Sequence, residues 1–297
     1  MDFKSAAMGI SFVLMWSSAF SSARIIVQAA PPLSTLSLRF LITGIIAIAI
    51  AKAMGQSMRL TRAQWTSTVV FGICQNGLYL GLFFMAMQWI GAGLASIIAS
   101  TMPLMVALLS WVFLKERTSV VGTLGLLAGF AGVALIMSGR FDGSGTDLVG
   151  LIIASIGVLA LAVATLVVRG ASSGGNIVMV VGLQMLVGSA VLIGPALMFE
   201  TVNVTVTPKL LLAFIYTILV PGLAGTWIWF LLVGRIGSTR AATYHFLNPF
   251  FGVAIAAALL GEKMSLRDFI GVAIVTVGIL AVQLSKRPAN PLTSKSS

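Results

Sequence analysis

Charge is what this sequence has least of. Seven acidic and eighteen basic residues are spread over 297 positions, with 8% charged residues against 59% hydrophobic and a mean hydropathy of +1.08. A soluble domain carries about a quarter charged residues, so that class is excluded. Cysteine occurs once, at Cys74 inside an apolar run, which excludes a disulfide framework and a cysteine metal site. Histidine also occurs once, at His245, so a His-Glu-x-x-His zinc motif is impossible, and a Gly-x-Ser-Gly setting for an intramembrane serine nucleophile is absent. The chain therefore reads as a non-enzyme without cofactor or metal.

What is present is apolar length. Runs of about 20 residues, enough to cross a hydrocarbon core of roughly 30 Å, recur from end to end. Ten are predicted, at about 5–27, 34–54, 66–87, 92–114, 119–138, 148–169, 176–198, 209–232, 239–260 and 267–285. The loops between them are too short to hide a soluble catalytic domain. The first run follows Lys4 and precedes Ser21-Ser22-Ala23, but it exceeds the 7–15 apolar residues of a typical signal peptide, so a membrane span is expected.

The net charge of +11 invites a nucleic-acid reading. Its distribution argues for a membrane instead. With the first residues inside, twelve of the eighteen Lys and Arg fall on the cytoplasmic side, which predicts a multi-pass membrane protein with both termini cytoplasmic. The partners expected are the lipid bilayer and a small-molecule substrate, with no nucleic acid.

Sliding the chain by 146 residues brings two segments into register, one beginning at Gly91 and one at Gly237. Pro103 then matches Pro249, Glu116 matches Glu262, Ser119 matches Ser265, Gly125 matches Gly271 and Gly132 matches Gly278. Each copy holds five runs, and an odd number inserts the second copy upside down. The expected fold is all-α, ten transmembrane helices in two inverted five-helix repeats over 1–142 and 143–286, with a disordered cytoplasmic tail at 287–297. Inverted repeats of this kind place a substrate site near the midplane between the halves.

Pro103 and Pro249 lie near the middle of runs four and nine, where each removes a helix hydrogen bond and predicts a break. Glu116 and Glu262 end helices beside basic residues and are read as organisers of loops. Gly122, Gly125, Gly129 and Gly132 share one face of run five, and Gly271 and Gly278 continue the pattern in run ten. Small residues on one face let helices approach closely in lipid, so the stripe is read as packing, with a subunit contact and a monomer or homodimer both open.

At these residues the chain resembles the EamA family of the drug/metabolite transporter superfamily. The resemblance is carried by Pro103 through Glu116, its repeat from Asn248-Pro249 through Glu262, Leu38-Arg39-Phe40 opening run two, and Trp16–Phe20 in run one. It implies a ten-span exporter of amino acids or other metabolites in the bacterial inner membrane, with a central cavity lined by runs one to four and six to nine.

Polar residues inside a span are costly and are candidates for function. Those near the predicted midplane are Trp16, Ser17, Gln75, Asn76, Tyr79, Ser100, Trp227, Tyr244, His245 and Asn248, taken as the substrate-binding set. Arg39 lies a few residues inside run two, close enough to its end to snorkel to the outer surface; the other reading is that it attracts a substrate carboxylate as the substrate leaves. No Asp or Glu occupies mid-span, so a carboxylate proton relay has no candidate; small multidrug-resistance relatives depend on a glutamate in their first helix, where this chain has Trp16 and serines. The cavity therefore reads as neutral, aromatic and lightly hydrogen-bonding. The function expected is alternating-access export of neutral or zwitterionic metabolites, amino acids first. A facilitative channel or lipid scramblase is the alternative.

Overall fold

The computed structural model describes residues 3–113, 115, 119–138, 146–167, 175–236, 241, 243–263 and 265–285. Glu116, the boundary between the expected repeats at 142/143 and the tail at 287–297 lie outside the described residues. All regular structure within them is helical. The helical elements are α1 (Phe3–Val27), α2 (Pro32–Ala53), α3 (Arg62–Ala86), α4 (Ala92–Phe113), α5 (Val120–Ser138), α6 (Thr146–Val167), α7 (Ile177–Phe199), α8 (Pro208–Ile236), α9 (Asn248–Leu260) and α10 (Leu266–Ser285).

Eight of these are long and apolar enough to cross a bilayer, whereas α9 and the apolar stretch of α5 are shorter. The shortfall at α9 has a local cause. The run read from sequence as one span changes at Leu247, where a 3-10 segment, Thr243–Leu247, gives way to an α-helix with Pro249 in its first turn. Proline lacks the N–H that would bond the carbonyl four residues back, and its fixed φ suits a helix start. Run four breaks similarly: α-helix stops at Ser100, Thr101 forms a turn, and helix resumes at Met102 with Pro103 in its first turn. The Thr101 carbonyl accepts from Leu104 N (2.9 Å) and Met105 N (3.0 Å), so the break leaves that group satisfied.

Two further helices loosen where the sequence analysis placed no break. α3 is π-helical over Gly72–Leu80 and α8 over Ile218–Gly225. In α8 the reason is Pro221, which offers no donor to the Thr217 carbonyl.

Packing follows from small residues. α2 lies along α7, α4 along α9, and α5 along α10; α1 packs against α8 and α9, and α6 against α3 and α4. A Cβ on Gly44 would sit 3.0 Å from the Gly182 carbonyl, and one on Gly182 would sit 3.1 Å from the Gly44 carbonyl. Beside that contact the hydroxyls of Ser37 and Ser189 lie 3.1 Å apart, and each donates to the other residue's carbonyl. The glycine stripe of α5 turns toward α10 within the same chain. A Cβ on Gly132 would meet the Gly271 carbonyl at 2.9 Å, and one on Gly125 the Gly278 carbonyl at 2.8 Å. These glycines are therefore used up inside the protomer, and the subunit contact considered from sequence is not where they point. The opposite faces of these helices show Leu124, Leu127 and Val277 outward, apolar side chains suited to lipid.

The helix ends are tied by side chains from distant segments. Glu200 accepts from Leu33 N (2.7 Å), Ser34 N (2.8 Å) and Ser34 Oγ (2.7 Å) in the first turn of α2. Glu262 accepts from Ala92 N (2.7 Å) and Gly93 N (3.0 Å) at the start of α4. Free N–H groups and the helix dipole make each start a natural carboxylate partner. At the start of α7, Gln56 Oε1 accepts from Met179 N at 3.0 Å, and Asn176 Oδ1 accepts from Ser57 N at 2.9 Å.

Candidate functional site

A small, partly open cavity lies between α1, α2, α3 and α8. α1 contributes Trp16, Ala19, Phe20 and Ala23; α2 contributes Arg39; α3 contributes Tyr79, Leu80, Phe83 and Phe84; α8 contributes Thr217 and Pro221; and Met87 follows α3. Tyr79 and Phe83 lie 4.7 Å apart between ring centroids, and Phe20 sits 6.2 Å from Phe83, so three rings form one wall.

Arg39 departs from the first of its two readings from sequence. It does not snorkel; it is buried, at 9% exposure. Its helix explains why. Leu36, Phe40 and Thr43 mark the inward face of α2 at helical spacing, whereas Leu38, Leu41 and Ile45 face outward, and Arg39 falls with the first group. Its Nη2 donates to the Thr217 carbonyl at 3.3 Å, the group that Pro221 leaves without its usual donor. The guanidinium carbon stands 5.3 Å from the Phe40 ring centre. The cavity is therefore cationic as well as aromatic, not neutral.

Trp16 has this cavity on one side and a second cluster on the other. There Phe12 lies 5.7 Å from Trp16, 4.8 Å from Trp229 and 5.1 Å from His245. His245 meets Trp229 at 5.0 Å and Trp16 at 6.2 Å, both edge-on. The Asn248 amide nitrogen is 2.9 Å from His245 Nδ1; with the amide donating, the ring hydrogen sits on Nε2. Ser17 Oγ donates toward the Asn248 carbonyl at 3.4 Å and its side-chain oxygen at 3.5 Å, linking α1 to α9.

Of the ten residues expected to bind substrate, Trp16 and Tyr79 line the cavity, while Ser17, His245 and Asn248 form the cluster behind Trp16. The others disperse. Asn76 donates to the Gln184 carbonyl (2.9 Å) and ties α3 to α7, and Gln75 is half-buried one position before it. Ser100 bonds its own helix at the Ser96 carbonyl (2.7 Å). Tyr244 packs its ring on Gly9 and donates to the Ser5 carbonyl at 3.3 Å. Trp227 is 44% exposed on the outer surface. Sequence reasoning missed Phe20, Phe83 and Thr217 in the cavity. The one signal for Thr217 was Pro221, four residues on. Among the described residues, no group of three or more His, Cys, Asp or Glu comes together to hold a metal.

The cluster behind Trp16 yields a stability prediction. His245→Ala leaves a hole among three rings and is expected to cost about 2–4 kcal/mol. His245→Phe refills the hole but leaves the Asn248 amide without its acceptor, for about 1–3 kcal/mol. Melting temperatures in detergent check both, and equal stability of all three proteins would refute the packing role.

Comparison with known proteins follows the same lines. A solved crystal structure of a protein superposes with a TM-score of 0.67 at 22% identity, covering 96% of this chain and 98% of that one, a likeness of fold. The chain is 25% identical over 276 residues to the uncharacterized transporter YvbV of Bacillus subtilis (strain 168), covering 93% of this chain and 90% of the relative. It is 26% identical over 291 residues to the uncharacterized inner membrane transporter YedA of Escherichia coli (strain K12), covering 95% and 92%. The family model of EamA-like transporters matches twice, at residues 3–138 and again at 148–284. An apolar all-helical chain so matched over nearly its whole length is an integral membrane protein with a transporter's role, and it belongs to the EamA-like transporter family.

Proposed function

We propose that this protein is a secondary transporter that exports small metabolites with an apolar part across the bacterial inner membrane by alternating access, amino acids being the first class to test. Two halves in inverted orientation, each of five spans and with both chain ends cytoplasmic, form the moving parts. The observation that carries this reading is a packing pattern that survives exchange of the halves. When each helix is replaced by the one five places along, the contact of α1 with α8 becomes that of α6 with α3, and α1 with α9 becomes α6 with α4. The pairs α2–α7, α4–α9 and α5–α10 map onto themselves. The π segments begin at Gly72 and Ile218, and 218 − 72 = 146, the offset that aligns the prolines. Even the helix-start ties correspond, since 179 − 33 = 146 relates Met179, held by Gln56, to Leu33, held by Glu200. Twin family matches point the same way.

Two equivalent halves around a cavity can rock between two arrangements of equal kind, one opening to each side. Loosened segments in α3 and α8 supply backbone that need not stay helical where it borders the cavity.

Counterflow in proteoliposomes tests the proposal. Vesicles loaded with an unlabelled amino acid are expected to take up the same labelled compound transiently against its gradient, saturably and only with protein present. Passive leak of unrelated solutes would favour a channel, and exchange of labelled lipid a scramblase. Absence of exchange for amino acids and for a wider panel of neutral metabolites would overturn the transporter reading.

A further inference from the structure

A buried arginine without an acid beside it calls for an anion. Among the described residues, Arg39 uses one of its five N–H donors, Nη2 to the Thr217 carbonyl, and its buried Nε has no partner. Among the described residues, no carboxylate pairs with it. A cation held away from water without a counter-charge is costly, and the cost falls when a ligand brings the charge. The surroundings are built for the rest of such a ligand: Trp16, Phe20, Tyr79 and Phe83 present apolar rings in the same cavity, and no acidic side chain lines it.

From this we infer that Arg39 is the anion site of the cavity and takes the carboxylate of an amphipathic organic acid, whose apolar body lies on the ring wall of Phe20, Tyr79 and Phe83. The inference rests on the transporter reading and names its substrate class. A guanidinium matches a carboxylate with two parallel donors, which makes the recognition directional as well as ionic. An amine has no acid to meet in the cavity and is repelled by Arg39, so cations are rejected and uncharged analogues lose the ionic contact.

The repeat argues that this arginine is not there for packing. The position equivalent to Arg39 is Met185, since 39 + 146 = 185, and it is buried to the same 9% on the helix that packs against α3. An apolar side chain thus suffices for the corresponding helix contact in the other half. The charge at Arg39 marks one half alone.

The test uses purified full-length protein in detergent and reads quenching or shift of tryptophan fluorescence, Trp16 lying in the cavity. The probes are L-phenylalanine, 3-phenylpropionate, 3-phenylpropan-1-ol and 2-phenylethylamine, which share a ring and differ in their polar head. Both carboxylates are expected to bind roughly tenfold or more tighter than the alcohol and the amine. If only phenylpropionate binds, the ligands are simple acids; if phenylalanine binds equally, the ammonium is tolerated in open space. Arg39→Gln is expected to collapse the preference of acid over alcohol, and Arg39→Lys to keep part of it, with the point charge but without the fork. Equal binding of acid and alcohol to the wild type, an undiminished preference in Arg39→Gln, or no response to any probe would each overturn the assignment. The wild-type ratio decides even where a variant does not fold. Counterflow without carboxylate preference removes only the Arg39 assignment, while carboxylate binding without any exchange removes the transporter reading and leaves the site.

Discussion

Gly278→Leu is expected to leave almost no monodisperse protein after detergent extraction. Position 278 lies where α10 crosses α5, and a Cβ there would stand 2.6 Å from the Gly125 carbonyl, 2.6 Å from Gly129 N and 2.8 Å from Gly129 Cα. All three are backbone atoms in the middle of a helix, so none can swing aside as a side-chain tip would. Alanine alone forces the two helices apart and is expected to cost about 1–3 kcal/mol, while leucine adds three carbons to the same clash. The loss spreads, because α5–α10 contact depends on both Gly125 and Gly132 meeting their partners at backbone distance. Gly194→Ala is the control. A Cβ there meets nothing within 4 Å, and alanine in a helix is favoured by roughly 0.5–1 kcal/mol over glycine, so its melting temperature should hold or rise. If Gly278→Leu extracts and melts like wild type, the close α5–α10 crossing is wrong.

Glu262→Ala is the second large effect. Its carboxylate accepts two backbone N–H groups at the start of α4, at 2.7 and 3.0 Å, and those donors have no intrahelical partners to fall back on. Charge-assisted bonds at a helix N-terminus are among the stronger polar contacts, and their removal is expected to cost about 2–3 kcal/mol. Glu262→Gln keeps an acceptor oxygen but loses the charge, so about 1 kcal/mol is expected. Gly91 is part of the same device. A Cβ at Gly91 would sit 2.7 Å from a Glu262 oxygen, so Gly91→Val should displace the carboxylate and lower stability in the same direction. Thermal melts of the three variants check the ranking. Its reversal, with Gln worse than Ala, would show that the carboxylate is not held as an acceptor. Glu262 also joins the end of α9 to the start of α4, so the tie connects the two segments that the family model matches.

Composition and repeat spacing by themselves determined the membrane class, the helical fold and the positions where Pro103 and Pro249 interrupt their helices. They could do so because each is a local property. Apolar length is read one run at a time, proline removes its donor in any context, and the 146-residue offset needs no knowledge of which helices touch. The glycine face of run five was legible for the same reason, as a periodicity along one helix.

Tertiary structure alone decided what those faces meet. The α5 stripe met α10 of the same chain rather than a second subunit, and Glu200, an unremarked acid at a helix end, became the cap of α2 because folding brought residues 33 and 200 together. The polar candidates shared a depth along their helices, and depth does not fix rotation. Rotation about the helix axes sent Trp227 outward, gave Asn76 to α7 and left Trp16 and Tyr79 at the cavity. Arg39 turned on the same point. Near the end of a run it had water within reach of its long side chain, but α2 packs along α7 and approaches α8 with that face inward. The Thr217 carbonyl, freed by a proline in a different half of the sequence, holds one of its nitrogens there. A charge placed by packing of distant helices leaves no mark in the spacing of its own.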